Sequence, residues 1–269
     1  MMSPDLPAAQ PTSCIHPQAP VARPDLPATQ SARRNLADAP VARRGLPVTL
    51  LVVAKAPIAG FAKTRLTPPF SPREAARLAA AALLDTLDAV RATAVQHRMV
   101  AWTGDLADAE EADEIAAALA DFTIFRQRGD GFAERLANAH ADAFRPGLPV
   151  LQIGMDTPQL GPSLLAMSAS RLLNTGEAVL GPAADGGWWA LGLPDPRPAR
   201  LLTEVPMSTS HTGELTRDML CRCGYRPQRL PILTDVDTYA DALTVASQST
   251  GRFATALAGI QAAQTKVLL

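Results

Sequence analysis

The sequence predicts an α/β protein built on a mixed, mostly parallel sheet with helices on both faces, and three observations predict it. An almost unbroken apolar, β-branched run closes at Ala54, a capped Ala/Leu-rich helix follows, and strand and helix signals then alternate through the middle of the chain. With 269 residues, 47% of them hydrophobic, the chain is long enough for one large α/β domain.

The first 46 residues stand apart. Pro4-Asp5-Leu6-Pro7-Ala8 returns as Pro24-Asp25-Leu26-Pro27-Ala28, and Ala19-Pro20-Val21-Ala22-Arg23 returns as Ala39-Pro40-Val41-Ala42-Arg43. Frequent proline and little aromatic or β-branched content predict a disordered tail over 1–46, because such a segment buries too little surface to offset its ordering entropy. Arg33-Arg34 is not followed by an export-type apolar stretch, only by the short run from Val48 to Ala54.

That run, beginning at Pro47, is of the kind covered on both faces, so it reads as the first and central strand. Ser71-Pro72-Arg73-Glu74 supplies an N-cap, a first-turn proline and a capping-box glutamate for a helix reaching about Val95. Further strands are expected at 98–102, 122–126, 150–154, 178–180 and 188–193. Helices are expected near 106–120, 132–144 and 162–174, and then at 239–247. The transferase domain is drawn at 47–248, with an amphipathic helical extension over 249–269 that packs on it or forms a homodimer.

The formal net charge of -1 leaves no basic excess for a nucleic-acid partner, and no stretch is apolar for long enough to span a membrane. Cys14, Cys221 and Cys223 make neither a disulfide framework nor a zinc-finger pattern, so a cytoplasmic setting is expected. Small-molecule chemistry is what remains.

Parallel sheets bind ligands beyond the carboxyl ends of their strands, which singles out four segments. After the first strand, Lys55-Ala-Pro-Ile-Ala-Gly60-Phe-Ala-Lys63-Thr64-Arg65-Leu66 holds two of the three lysines in the chain, an arginine and a turn glycine. Ammonium and guanidinium groups in one loop suit phosphates, although neither the Walker nor the dinucleotide glycine pattern is present. Lys55, Gly60, Lys63, Thr64 and Arg65 are therefore the expected nucleotide-binding residues. At the end of the 150–154 strand, Gly154-Met155-Asp156-Thr157-Pro158 points a carboxylate into the crevice as a hard-cation ligand, unless Asp156 caps the next helix. In Gly181-Pro-Ala-Ala-Asp185-Gly186-Gly187-Trp188-Trp189, a second carboxylate precedes glycines that allow close backbone approach to a ligand. The tryptophans there stack on substrate or pack as core. In Thr234-Asp235-Val236-Asp237-Thr238 two acids share a face if extended, and one of them, or Asp185, is expected to join Asp156 at the metal, with Asp237 the first choice. Gly186, Gly187, Trp188 and His211 are expected on the acceptor side, and Glu134 and Arg135 either join them or lie on an exposed helix face.

Together these motifs resemble a bacterial glycosyltransferase A-type family in the nucleotide-diphospho-sugar transferase superfamily, some members of which are associated with arsenosugar biosynthesis. The resemblance covers about 48–248. It implies a Rossmann-like three-layer fold with about seven strands, a nucleotide at the edge of the first strands, and Mg²⁺ or Mn²⁺ near Asp156. Met207 departs from the pattern, since related sequences often carry an aromatic residue there. Two reactions follow from it. In glycosyl transfer from a nucleotide sugar to a small-molecule acceptor, Asp185 would be the base. In nucleotidyl transfer, suggested because Lys63-Thr64-Arg65-Leu66 is similar to the Lys-Ser-Arg-Leu loop of phospholactate guanylyltransferases, a nucleoside triphosphate meets a phosphorylated acceptor and pyrophosphate leaves. Lys63, Arg65 and Asp185 are the expected catalytic residues. A third reading is a catalytically silent nucleotide-sugar-binding scaffold whose proline-rich tail recruits partners.

Overall fold

The structure, a computed structural model, describes residues 45–144 and 147–267. The repeat-bearing tail before Gly45, with Cys14 and Arg33-Arg34, lies outside the described residues. Strand β1 (Leu46–Lys55) is followed by α1 (Pro72–Ala92), β2 (Val95–Thr103), α2 (Ala112–Leu119), β3 (Thr123–Arg126), α3 (Phe132–Ala143) and β4 (Val150–Ile153). Then come α4 (Pro162–Thr175), β5 (Val179–Pro182), β6 (Trp188–Leu193), α5 (Thr212–Arg222), β7 (Gln228–Arg229), α6 (Tyr239–Ser247) and α7 (Arg252–Val267).

The strands form one seven-stranded sheet in the order β3-β2-β1-β4-β6-β5-β7. β1 is parallel to β2 and β4, and β2 to β3; β6 runs antiparallel to β4 and β5, while β7 is parallel to β5. The mixed, mostly parallel fold and the central place of the first strand are as the sequence predicts. On one face Leu50, Val52 and Ile153 pack against α1, α2 and α4 through Leu83, Ile115 and Leu165. On the other, Leu51 and Val150 meet Ala139 and Ala143 of α3, and Leu191 and Leu193 meet Leu136, Leu202 and Met219.

Local chemistry sets the boundaries. Ser71 accepts from Glu74 N at 3.2 Å while Glu74 accepts from Ser71 N at 2.7 Å, so the capping box opens α1 where expected. The helix expected from 106 starts later. Residues 106–108 make a 3-10 turn capped by Asp105, and α2 begins only after Glu111, which takes a left-handed φ of 58°. β2 extends three residues further towards its start than the apolar signal at 98–102, because two of those residues, Gln96 and His97, are polar. β7 has only two residues, too short to show periodicity, and was not among the expected strands.

The C-terminal α7 places Phe253, Leu257 and Ile260 in a core shared with Leu78, Ala82 and Val245. Its start is held by α1, since Asp85 accepts from both Arg252 N and Phe253 N at 2.9 Å. The apolar face of this helix is thus covered within the chain.

Candidate active site

From β1 the chain leaves towards β2 on one side, and β4 enters on the other, so the sheet order reverses between β1 and β4. A crevice opens beyond such a switch point because neighbouring connections diverge there. The two segments singled out as phosphate loop and metal strand end are the ones that meet at it.

In the loop after β1, Gly60 takes φ 76°, a conformation that a side chain would strain. Leu66 is fully buried and anchors the far end of the loop. Between them Lys63 adopts φ 50° and opens a 3-10 turn over Thr64–Leu66. Its Nζ donates to Asp156 Oδ2 at 2.6 Å and to Asp237 Oδ1 at 3.0 Å, and Arg65 Nη1 reaches Asp237 Oδ2 at 3.2 Å. Residues 93 and 174 positions away in sequence are thereby joined through one ammonium group. Burial works against the Lys63 charge, but Asp156 and Asp237 outweigh it and hold its pKa above the ordinary lysine value.

Asp156 turns back over Gly154, where an added Cβ would stand 2.7 Å from Asp156 Oδ1. Asp156 does not cap α4, whose N-cap is Gly161. The 235–237 segment is tied to it by Val236 N donating to Asp156 O at 2.9 Å. Neither Asp235 nor Asp237 caps α6, because Thr238 does so in a capping box with Asp241. Asp237 is pushed up by burial but pulled further down by Lys63 and Arg65, ending below its ordinary value. Asp235 behaves oppositely. Burial and the neighbouring charges of Asp156, Asp185 and Asp237 push it up to about 8 against the pull of Lys63, and its Oδ1 is buried without a hydrogen-bond partner.

Asp185 sits at the exposed rim, its Oδ1 accepting from Gly187 N at 2.8 Å. The adjacent glycines stand close to other parts of the chain, Gly187 to the Asp185 side chain and Gly186 to Ser210. Gly186, at φ 89°, lies so close to Ser210 that a Cβ would come within 2.0 Å of that residue's carbonyl oxygen, and Gly213 N donates to Gly186 O at 2.8 Å. The backbone of Gly186 thus approaches the 208–213 turn closely. Trp188 packs against the core cluster on the α3 side, with Nε1 buried and unpaired, and Trp189 is fully buried with Nε1 donating to Pro231 O at 2.9 Å. Met207 joins the same α3-side cluster, while His211 lies exposed at the start of α5 without a side-chain capping bond.

Lys55, at the end of β1, places Nζ 3.8 Å above the ring of Phe61. Burial first, then the charges of Arg135 and Lys63, lowers its pKa. Gln127, which sequence reasoning passed over, donates from Nε2 to Ala54 O at 2.8 Å and Ala101 O at 2.9 Å, stapling the ends of β1 and β2. A long amide directly after an apolar strand was the available signal.

Among the described residues no three His, Cys, Asp or Glu side chains converge at metal-ligand spacing; Lys63 stands between Asp156 and Asp237 instead. The donor chemistry nevertheless suits a hard divalent cation. Asp156, Asp235 and Asp237 offer carboxylate oxygens, and the buried Oδ1 of Asp235 has no hydrogen-bond partner.

Comparison with known proteins agrees with this architecture. Residues 86–209 match the family described as "Uncharacterized protein conserved in bacteria (DUF2064)". No curated protein matches the chain. A solved structure from Desulfovibrio desulfuricans G20, provisionally assigned as a nucleotide-diphospho-sugar transferase, is 23% identical with a TM-score of 0.70, covering 80% of this chain and 96% of that one. A cytidylyltransferase from Leptospira borgpetersenii serovar Hardjo-bovis is 13% identical with a TM-score of 0.51, covering 82% and 96%. The manganese complex of Rv0371c from Mycobacterium tuberculosis H37Rv is 18% identical with a TM-score of 0.45, covering 74% and 97%. At these identities the likeness shows that the chain shares the fold of these structures.

Proposed function

We propose that the chain is a divalent-metal-dependent transferase for a nucleotide-activated substrate, and that its reaction is nucleotidyl transfer from a nucleoside triphosphate to a phosphorylated small molecule. The observation that carries this is the meeting of Lys63 and Arg65 with Asp156 and Asp237, beside the unpaired buried oxygen of Asp235. Asp156, Asp235 and Asp237 would hold Mg²⁺ or Mn²⁺, which when bound neutralises phosphate oxygens. Lys63, exchanging carboxylate for phosphate partners, orients the triphosphate. Arg65, whose side chain is 67% exposed, swings onto the departing pyrophosphate and neutralises its developing charge.

An acceptor phosphate attacks as an anion and needs no general base. That favours nucleotidyl transfer, because Asp185, the base that glycosyl transfer would use, sits at the exposed rim. The second reading, glycosyl transfer, is supported by the assignment of the Desulfovibrio desulfuricans relative and would use the other oxygen of Asp185.

A thermal-shift panel of nucleoside triphosphates and nucleotide sugars, each with and without Mg²⁺, separates the readings, since a ligand that binds only the folded state raises apparent stability. We expect one triphosphate to stabilise the chain only with metal, and phosphorus NMR to show pyrophosphate once a phosphorylated acceptor is supplied. A shift confined to one nucleotide sugar, with nucleoside diphosphate released, would transfer the assignment to glycosyl transfer. No shift with any nucleotide would overturn both readings.

A further inference from the structure

The three carboxylates proposed for the metal come from two segments far apart in sequence. Asp156 follows β4, whereas Asp235 and Asp237 lie between β7 and α6. Two loose segments would have to be ordered each time an ion arrived, at a cost in conformational entropy. The structure instead holds the 233–238 segment at each residue that is not an aspartate. Leu233 N donates to Pro182 O at 3.2 Å, and Leu233 O accepts from Ala184 N at 2.8 Å. Val236 N donates to Asp156 O at 2.9 Å, and the Val236 side chain is buried in the cluster that contains Phe253 and Leu257. Thr238 closes the segment through its capping box with Asp241.

Thr234, directly before Asp235, is held by a side chain: Gln159 Nε2 donates to Thr234 O at 2.7 Å. Gln159 stands three residues after Asp156, on a turn closed by Leu160 N donating to Thr157 O at 2.9 Å, and its neighbours Thr157, Pro158 and Leu160 are buried. One short segment thus supplies a carboxylate and clamps the segment that carries the other two. Lys63 Nζ, at 2.6 Å from Asp156 and 3.0 Å from Asp237, shows that the clamped segments stand within reach of one small charged group.

The orientation of the Gln159 amide is forced. A carbonyl only accepts, so Nε2 must face Thr234, and Oε1 is left buried without a hydrogen-bond partner. A buried amide oxygen without a partner lowers stability, and a methionine of similar size would avoid that loss. Packing alone does not account for a glutamine here; the bond to Thr234 does.

We propose that Gln159 is a positioning residue for the divalent cation, fixing Thr234 and thereby the places of Asp235 and Asp237 relative to Asp156. The inference rests on the metal-dependent reading above. Side chains that hold metal ligands without touching the ion typically change its affinity by about ten- to a hundredfold when replaced.

The test is calorimetric titration of the full chain with Mn²⁺ for wild type, Gln159→Met, Gln159→His and Asp156→Asn, with unfolding temperatures measured in chelator. Gln159→Met should raise the Kd for Mn²⁺ by about tenfold or more, while its metal-free unfolding temperature stays within about 4 °C of wild type. Gln159→His, which keeps an N–H donor at comparable reach, should recover part of the affinity. A residue that served only the fold would shift the unfolding temperature and leave the Kd alone. Wild-type binding that is lost in Asp156→Asn but kept within about twofold in Gln159→Met overturns this proposal and leaves the metal site standing. Equal losses in Gln159→Met and Gln159→His also overturn it. A wild type that binds no Mn²⁺ removes the metal-dependent reading, and this inference with it.

Discussion

At Asp235 three neighbouring carboxylates and burial act on one side chain, and the result is a group whose protonation should report the arrival of a cation. Its pKa of about 8 in the metal-free protein means that it carries a proton at pH 7. A divalent cation beside it reverses the electrostatic balance, favours the carboxylate and expels the proton. Titrating Mg²⁺ at pH 7 in buffers of different ionisation enthalpy should therefore show close to one proton released per metal bound, and Asp235→Asn should abolish that release. Equal heats in all buffers for the wild type would contradict it. The sequence singled out Asp156, because a carboxylate just past a buried strand has few other places to point, and the structure joins it to Lys63. Spacing alone did not distinguish Asp235 from Asp237. Alternation puts both on one face, whereas their difference arises from tertiary burial and from Lys63, which reaches Asp237 from 174 positions away.

Between elements, the face of the sheet under α3 stores a polar liability. His140 of α3 is fully buried beside Gln152 of β4, and neither ring nitrogen has a hydrogen-bond partner. Burial, opposed by weaker influences of Gln152 and Asp195, pushes His140 down to about 4. Because the folded value lies below the unfolded one, near 6.5, the neutral ring stabilises the fold fully above pH 6.5, and that contribution is lost as pH falls towards 4. Urea unfolding should show a loss of about 2 kcal/mol from this residue between pH 7 and pH 5. His140→Leu should flatten that slope; an unchanged slope would place the acid sensitivity elsewhere. The helical face of α3 was legible from its periodicity, but the histidine partner was not, since a buried polar residue looks like any other polar residue until the strands beneath it are known. Gly186 and Gly187 teach the same lesson. Sequence marks a tight approach, and only the 208–213 turn reveals what approaches.

Across the whole molecule, the parallel half of the sheet was readable from β1, β2, β3 and β4, whose apolar runs are separated by helix-length crossovers. The other half was less so. β6 turns antiparallel because only 183–187 link it to β5, too short for a crossover, and β7 is recruited by pairing with β5, a long-range event that two polar residues do not announce. No described helix is long and apolar enough to cross a membrane. The reversal between β1 and β4 brings the loop cations and the aspartates together, and the proposed function requires that they bind nucleotide through metal. The deciding measurement is calorimetric binding of the stabilising nucleotide to wild type and to Asp156→Asn, with Mg²⁺ and then with chelator. Binding that requires metal and falls by about a hundredfold in the folded Asp156→Asn variant is the predicted result. Equal binding by the two proteins, or binding indifferent to chelator, would contradict a metal-nucleotide site at Asp156.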